Sequence, residues 1–206
     1  MRPQRPSNPR PRRRSLLIQC EGQKTEPNYL DALCKVCGVR QRLEVKVKAG
    51  RGQNAVVTVQ AAITEGSQRV QGEKKYDDIC CVLDVEHAAH EATLNEAIVL
   101  AKDHSIRLFL SNPSFEVWLL AHFERTKRDF ADGGAVEDHL NTHWRKHFHC
   151  DYEKGDPELY AKLAGRLDTA LDNAKWVLET LHGMTSSRAS NASTEVYQLI
   201  QELMRN

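Results

Sequence analysis

The sequence predicts a three-layer α/β sandwich with a mainly parallel sheet over residues 15–130, followed by a helical extension over residues 131–206. As far as residue 124, short apolar runs alternate with helical stripes of apolar residues, which is typical of successive β–α units. Beyond Gly133 the apolar spacing is that of helices alone. A chain of 206 residues is long enough for one domain with a sizeable core and such an extension.

Composition excludes several classes of protein. No stretch of the chain approaches the roughly 18 consecutive apolar residues of a membrane helix. Residues 1–14 also lack the apolar segment of a secretory signal. We therefore expect a cytoplasmic protein that does not contact a membrane, and we expect its six cysteines to be reduced thiols. The oligomeric state is left open.

Residues 1–14 form a basic arm that contains six arginines, among them Arg12, Arg13 and Arg14, and no acid. Subtracting these six from the 29 basic residues leaves 23 against 28 acidic ones, a net charge of −5 for the rest of the chain. A segment rich in proline and arginine cannot build a core, which predicts a disordered arm. Such an arm suits binding to nucleic-acid phosphates, and a solubilising tail is the alternative interpretation.

The first predicted strand and helix come directly after the arm. Ser15–Cys20 is an apolar run of strand length, and it ends at the dipeptide Glu21-Gly22. Thr25 is placed to cap a helix, and apolar residues at helical spacing then continue to residue 36.

A second strand and helix follow. Apolar and charged residues alternate over residues 43–48, the period of a strand with one face buried. Lys46 and Lys48 lie on its polar face, and Arg51 lies in the glycine-containing loop before a helix over residues 55–65. These three cations are candidate phosphate contacts, although a solvated face accounts for them equally well.

Two further strands complete the predicted sheet. Residues 76–83 form a buried strand, and residues 94–101 carry the apolar spacing of a helix. Residues 106–110 form the next strand, after which Asn112 is placed to cap an apolar helix. The extension is predicted to contain helices over residues 136–147, 156–181 and 194–204, with a polar break at 186–193.

Acidic side chains follow two of the predicted strands at the point where each strand ends. Glu21 follows the first strand, and Asp84 and Glu86 follow the strand over residues 76–83. Ligands bind at the carboxyl edge of a parallel sheet, so we expect these carboxylates to converge there. An all-oxygen site suits a hard divalent cation. Helix capping and solvated loops are the alternative roles for acids at these positions.

Two more acids lie near the same edge. Glu26 lies about one helical turn beyond Glu21, and Glu116 follows the predicted cap residue Asn112, which is itself a candidate additional residue of the site. Each is a candidate additional ligand in the cleft, or a residue that stabilises a helix N-terminus electrostatically.

The spacing Cys34-x-x-Cys37 and the run from His143 to Cys150 contain residue types that bind zinc. The two groups are more than 100 residues apart in the chain, and neither has a second ligand pair nearby. A structural zinc site built from both is therefore not expected.

Several segments resemble those of the RloB-like family. The resemblance covers roughly residues 15–204 and rests most strongly on the specific block Asn112-Pro113-Ser114-Phe115-Glu116-Val117-Trp118. The segments that carry it are Cys20–Tyr29, Val82–His87, Leu110–Phe123, Asn173–Lys175 and Asn191–Val196.

This resemblance implies a Toprim-type core, which is a Rossmann-like sandwich, with Mg²⁺ or Mn²⁺ as cofactor. Glu21 would be the general acid/base or a metal ligand, and Asp84 and Glu86 would match an Asp-x-Asp pair that holds the ion. Glu86 departs from that pattern, because the family usually has aspartate there, and its extra methylene changes the reach of the carboxylate.

The implied function is that of a Mg²⁺-dependent nuclease acting on DNA or RNA in bacterial phage defence, with nucleic acid and a defence-system ATPase as partners. Two alternatives stay open. The first is a regulatory or adaptor subunit that binds an ATPase or nucleic acid without cleaving it, and the second is a metal-dependent enzyme acting on nucleotides.

Overall fold

A computed structural model of the protein describes residues 12–51, 54–85, 91–182 and 192–205. The predicted α/β architecture is confirmed, because a mostly parallel five-stranded sheet is flanked by helices and followed by further helices at the C-terminus. Within the described ranges, no helix has the length and apolar character needed to cross a membrane.

The strands and helices have the following bounds. The strands are β1 Ser15–Cys20, β2 Glu44–Lys48, β3 Arg69–Val70, β4 Glu73–Lys74, β5 Asp78–Asp84, β6 Arg107–Asn112 and β7 Ser193–Thr194. The helices are α1 Thr25–Val36, α2 Val39–Arg42, α3 Ala55–Ser67, α4 Glu91–Asp103, α5 Glu116–Ala121, α6 Gly133–Phe148, α7 Leu159–Leu163, α8 Leu167–His182 and α9 Val196–Arg205.

The central sheet has the strand order β2-β1-β5-β6-β7. The first four strands are parallel, and β7 runs antiparallel to β6. After β1 the chain adds β2 on one side of it and then β5 on the other, so the strand order reverses between β1 and β5. In open α/β sheets, ligands bind at the carboxyl edge beside such a reversal.

The β5 strand shows why the central strands are apolar along their whole length. Cys80 and Val82 belong to the core on the side of α1 and the C-terminal helices. Cys81 and Leu83 belong to the core formed with α3 and α4. Because successive side chains of a strand point to opposite faces, a sheet covered on both faces needs an uninterrupted apolar run.

The prediction that Asn112 caps a helix is wrong. Asn112 is the last residue of β6, and it pairs with Ser193 of β7. Helix α5 begins only at Glu116, after Phe115, and no side chain caps it. A local capping pattern could not reveal this arrangement, because the partner strand is about 80 residues away in the chain.

Other differences from the sequence prediction are local. Thr25, which was predicted to cap α1, is instead its first residue, and Lys24 is at the cap position without a side-chain hydrogen bond. The helix predicted over residues 156–181 is divided into α7 and α8 by a 3-10 turn at Ala164–Arg166. The short helix α2, the hairpin of β3 and β4, and β7 were not predicted, because two to four residues give no readable period.

Glu65 near the end of α3 anchors that helix to the sheet. It accepts hydrogen bonds from Lys48 Nζ and Lys75 Nζ, each at 2.5 Å, and from the Tyr76 hydroxyl at 3.2 Å. The hydrogen bonds from the two lysines lower the pKa of Glu65 to about 2. The ionised carboxylate therefore stabilises the folded state.

We expect Glu65→Gln to lower the free energy of unfolding at neutral pH. The pKa is lower in the folded state, so the stabilisation is fully present above the ordinary value of 4.5 and is lost as pH falls toward 2. Urea unfolding at several pH values should show a difference between native protein and variant that shrinks below about pH 4.5. Glu179→Gln, at an exposed ion pair on α8, is the control. A difference in unfolding free energy between the native protein and Glu65→Gln that does not vary with pH would contradict this account.

Candidate functional site

Glu21 and Asp84 lie side by side at the carboxyl edge of the sheet, where the strand order reverses between β1 and β5. The Asp84 backbone N–H donates to Glu21 Oε2 over 3.2 Å. The Glu21 backbone N–H donates in turn to the Val82 carbonyl of β5 over 3.0 Å. The third predicted member of this group, Glu86, lies outside the described residues.

A cleft of about 540 Å³ opens beside Asp84. Segments from both halves of the chain line it, and four acids and two lysines contribute to its surface. Its lining residues are Gly22, Gln23, Lys24, Thr25, Glu26, Asp84, Pro113, Ser114, Phe115, Glu116, Asp132, Gly133, Gly134 and Lys154.

Glu26, in the first turn of α1, is only 6% exposed although it lines the cleft. The Gly22 N–H donates to its Oε1 over 2.9 Å. Burial raises the pKa of Glu26 and the nearby Glu116 raises it further, while backbone hydrogen bonds and Lys154 oppose the change. Glu26 therefore keeps its proton to a higher pH than an ordinary glutamate does.

Glu116, the first residue of α5, is buried at the same cleft. It accepts hydrogen bonds from Ser114 Oγ at 2.7 Å and from the Tyr152 hydroxyl at 3.2 Å. Lys154 Nζ lies 3.5 Å from its Oε1. Burial and the Glu116 carboxylate both raise the pKa of Tyr152, which stays protonated and able to donate. Three side chains thus hold the Glu116 carboxylate in place.

Lys154 is a cleft residue that no local sequence pattern indicates. Burial lowers its pKa, but Glu116 and Glu137 more than offset this and the pKa is raised, so the amine is charged. Its position depends on the next residue, Gly155, whose carbonyl accepts from the Asn28 side chain of α1 over 2.9 Å. Nothing in the sequence around Gly155 indicates that this segment contacts α1.

Arg12, Arg13 and Arg14, which were predicted to bind nucleic acid, lie at the opposite edge of the sheet from the cleft. Arg12 and Arg14 form ion pairs with Asp77 and Asp78, respectively, at the start of β5. Arg13 donates to a backbone carbonyl of α2. The six residues of β1, at about 3.3 Å each, place at least about 20 Å between these arginines and Glu21. Residues 1–11 of the arm lie outside the described residues.

Lys46, Lys48 and Arg51 were the other candidate phosphate contacts. Lys46 is exposed on β2, and Lys48 is paired with Glu65. Arg51 is exposed, and its carbonyl accepts from the Gln23 side chain of the cleft over 2.9 Å. Among these three, only Arg51 is thereby linked to a cleft residue.

The family model for the RloB-like protein matches residues 16–203. The chain belongs to the RloB-like family. Comparisons with curated proteins and with solved structures gave no match. The matched region of this RloB-like chain contains Glu21, Asp84 and, in the C-terminal part, Lys154. It therefore includes all the segments that line the cleft.

Gly22 of this RloB-like protein leaves the space that the Glu26 carboxylate occupies. A Cβ atom at Gly22 would lie 1.9 Å from Glu26 Oε2, so Gly22→Ala must displace that buried side chain. We expect Gly22→Ala to lower the free energy of unfolding by about 1–3 kcal/mol. In a Glu26→Ala background the clash is absent, and the same substitution should cost much less. Urea unfolding of the four proteins of this double-mutant cycle measures the coupling. An equal cost in both backgrounds would show that the two residues do not interact as described.

Proposed function

We propose that this protein is a divalent-metal-dependent nuclease with a Toprim-type core that hydrolyses phosphodiester bonds of DNA or RNA. The observation that carries the proposal is the contact between Glu21 and Asp84 where the strand order reverses, beside an acidic cleft. Phosphoryl transfer at such a position needs carboxylates to hold a cation and positive groups to hold phosphate. The cleft contains both kinds of group.

The donor atoms at this edge fit Mg²⁺ or Mn²⁺. They are carboxylate oxygens, which are the ligands that hard divalent cations prefer. Glu21 and Asp84 would hold the ion, with Glu86 as the third ligand that the sequence predicts. When bound, such an ion stabilises negative charge on a phosphoryl oxygen.

Hydrolysis adds one water molecule across the bond between phosphorus and the leaving oxygen. The water oxygen bonds to phosphorus and gives up one proton to solvent, the bond to the leaving oxygen breaks, and that oxygen takes up a proton. Glu26 is buried in the cleft and its pKa is raised, so it suits the role of proton donor. The Gly22 N–H holds the Glu26 carboxyl group in position for this transfer.

Two features attract phosphate into a cleft that is otherwise acidic. Lys24 and Lys154 contribute ammonium groups to its lining. Gly133 and Gly134, the first residues of the 16-residue helix α6, also line the cleft, and the N-terminus of a helix favours anions. The Asp132 carboxylate already caps this helix by accepting from the Ala135 N–H over 2.8 Å, which weakens that attraction. These groups would orient the scissile phosphate toward Glu21 and Asp84.

The experiment is an incubation of the purified chain with single- and double-stranded DNA, RNA and nucleotides, with Mg²⁺, Mn²⁺ or EDTA. We expect a nucleic-acid polymer to be cleaved when the metal is present, and we expect no cleavage in EDTA. Turnover of nucleotides alone would favour the nucleotide enzyme, and binding without cleavage would favour the adaptor. The family resemblance extends the proposal to phage defence with an ATPase partner, and loss of phage protection on deletion of this protein would test that part.

A further inference from the structure

A second group of metal-ligating side chains lies outside the lining of the cleft. His139 and His143 are four residues apart on α6 and therefore share one helix face. His139 Nε2 lies 2.9 Å from Glu124 Oε1, and His143 Nε2 lies 3.1 Å from Glu124 Oε2. The three ligand atoms, one from each residue, all lie within 4.8 Å of one another.

We propose that Glu124, His139 and His143 bind a divalent transition-metal ion of the Zn²⁺ type. Two imidazole nitrogens and one carboxylate are a ligand set for zinc and its neighbours, whereas Mg²⁺ prefers oxygen alone. Around a tetrahedral zinc ion, neighbouring ligand atoms are about 3.3 Å apart. The two histidine nitrogens contact different oxygens of the Glu124 carboxylate, at 2.9 and 3.1 Å. Because one ligand atom from each residue lies within 4.8 Å of the others, side-chain rotations bring the set to the spacing around the ion.

The surroundings restrict the movement of the three ligands. Their side chains are only 21–28% exposed. The His143 ring stacks on Phe123, with ring centroids 5.6 Å apart, and the His139 ring contacts Phe130 at the same centroid distance. Ligands held in this way lose little conformational freedom on binding the ion, which favours affinity.

One hydrogen bond of Arg128 opposes binding of the ion. Its guanidinium donates to His139 Nδ1 over 3.3 Å, whereas an imidazole that binds metal through Nε2 carries its proton on Nδ1. Arg128 is exposed, so it can turn away when the ion binds. Removing its charge should therefore leave affinity unchanged or strengthen it.

The bound ion would connect two segments that also build the cleft. Glu124 lies just after α5, whose first residue is Glu116, and the two histidines lie on α6, whose first residues line the cleft. Three protein ligands leave a fourth position for water. The ion would thus cross-link α6 to the end of α5 and stabilise the folded protein.

The experiment uses the full chain in a Cys150→Ser background, because Cys150 is an exposed thiol near the end of α6 that can bind zinc by itself. The chain is freed of metal with a chelator and then titrated with Zn²⁺ in competition with a chromophoric chelator. We expect one ion per chain, and we expect His139→Ala and His143→Ala each to weaken binding at least tenfold. Co²⁺ in place of Zn²⁺ should give the visible absorption of a site with nitrogen and oxygen ligands.

Matched controls separate this site from other histidines. His147→Asn, one turn further along α6, removes an imidazole outside the group of three and should leave zinc affinity unchanged. Arg128→Gln should bind zinc at least as tightly as the parent. If an alanine variant misfolds, as judged by circular dichroism, Glu124→Gln keeps the shape of the side chain and removes its charge.

Zinc should also raise the thermal midpoint of the parent and not that of the ligand variants. Absence of stoichiometric Zn²⁺ binding would overturn the proposal. Binding that the His139, His143 and Glu124 variants leave intact would overturn it as well. Neither result would bear on nuclease activity, because the cleft and its carboxylates are not involved.

Discussion

Asp84→Ala is expected to reduce metal-dependent cleavage by about a thousandfold, which corresponds to about 4 kcal/mol of lost transition-state stabilisation. The substitution removes a carboxylate from the proposed cation site, and with it both a ligand and the negative charge that offsets dehydration of the ion. The rate should be measured on whichever nucleic acid the native protein cleaves.

The same variant is expected to fold. Asp84 contacts Glu21 through its backbone N–H, and alanine keeps that donor, so Glu21 retains its hydrogen bond. The Asp84 side chain lies at the end of β5 and is not part of the apolar core. Thermal unfolding should therefore show a midpoint close to that of the native chain. Asp103→Asn, at an exposed position at the end of α4, is the matched control.

Glu86→Asp supplies the complementary test, because it restores the pair of aspartates that the resemblance implies. We expect activity equal to or higher than that of the native protein.

Should Asp84→Ala fold and keep full biological activity in cells, metal chemistry would not be the function. The adaptor hypothesis would then be preferred.

Gly50→Ala is expected to lower both stability and activity, and it is the substitution with the largest expected structural effect. A Cβ atom at Gly50 would lie 2.0 Å from the Glu21 carbonyl oxygen and 2.5 Å from the Cys20 carbonyl oxygen. Both neighbours are backbone atoms, one from the last residue of β1 and the other from the residue directly after it. The loop must move, and the hydrogen bond from the Gly50 N–H to the Gly22 carbonyl, at 2.9 Å, would be lost or lengthened.

We expect this clash to cost about 3 kcal/mol in the free energy of unfolding, at the upper end for overpacking. Displacement of Glu21 by about 1 Å should lower activity by about a hundredfold. Gly165→Ala is the matched control, because no heavy atom lies within 4 Å of a Cβ atom placed there. Urea unfolding and cleavage assays of both variants make the comparison. Equal stability and equal activity of Gly50→Ala and Gly165→Ala would show that the loop after β2 does not position Glu21.

The sequence allowed the four parallel strands and most of the helices to be predicted. The run at β5 is apolar because both of its faces are covered, and the alternation in β2 reflects an edge strand with one solvated face. These are local patterns, and each can be read within a few residues. The placement of Glu21 and Asp84 follows from them, because the carboxyl ends of parallel strands share one edge of the sheet.

Local sequence patterns therefore predict the layered α/β order and the acids at the carboxyl ends of β1 and β5. Three features are visible only in the folded chain: Lys154 lines the cleft, Asn112 pairs in a strand, and Glu124 contacts two histidines of α6. Each of these contacts joins segments that are separated in the chain, and no periodic pattern in the sequence indicates that they meet. Such contacts depend on how helices and loops dock after they form, so they follow from packing and not from local pattern.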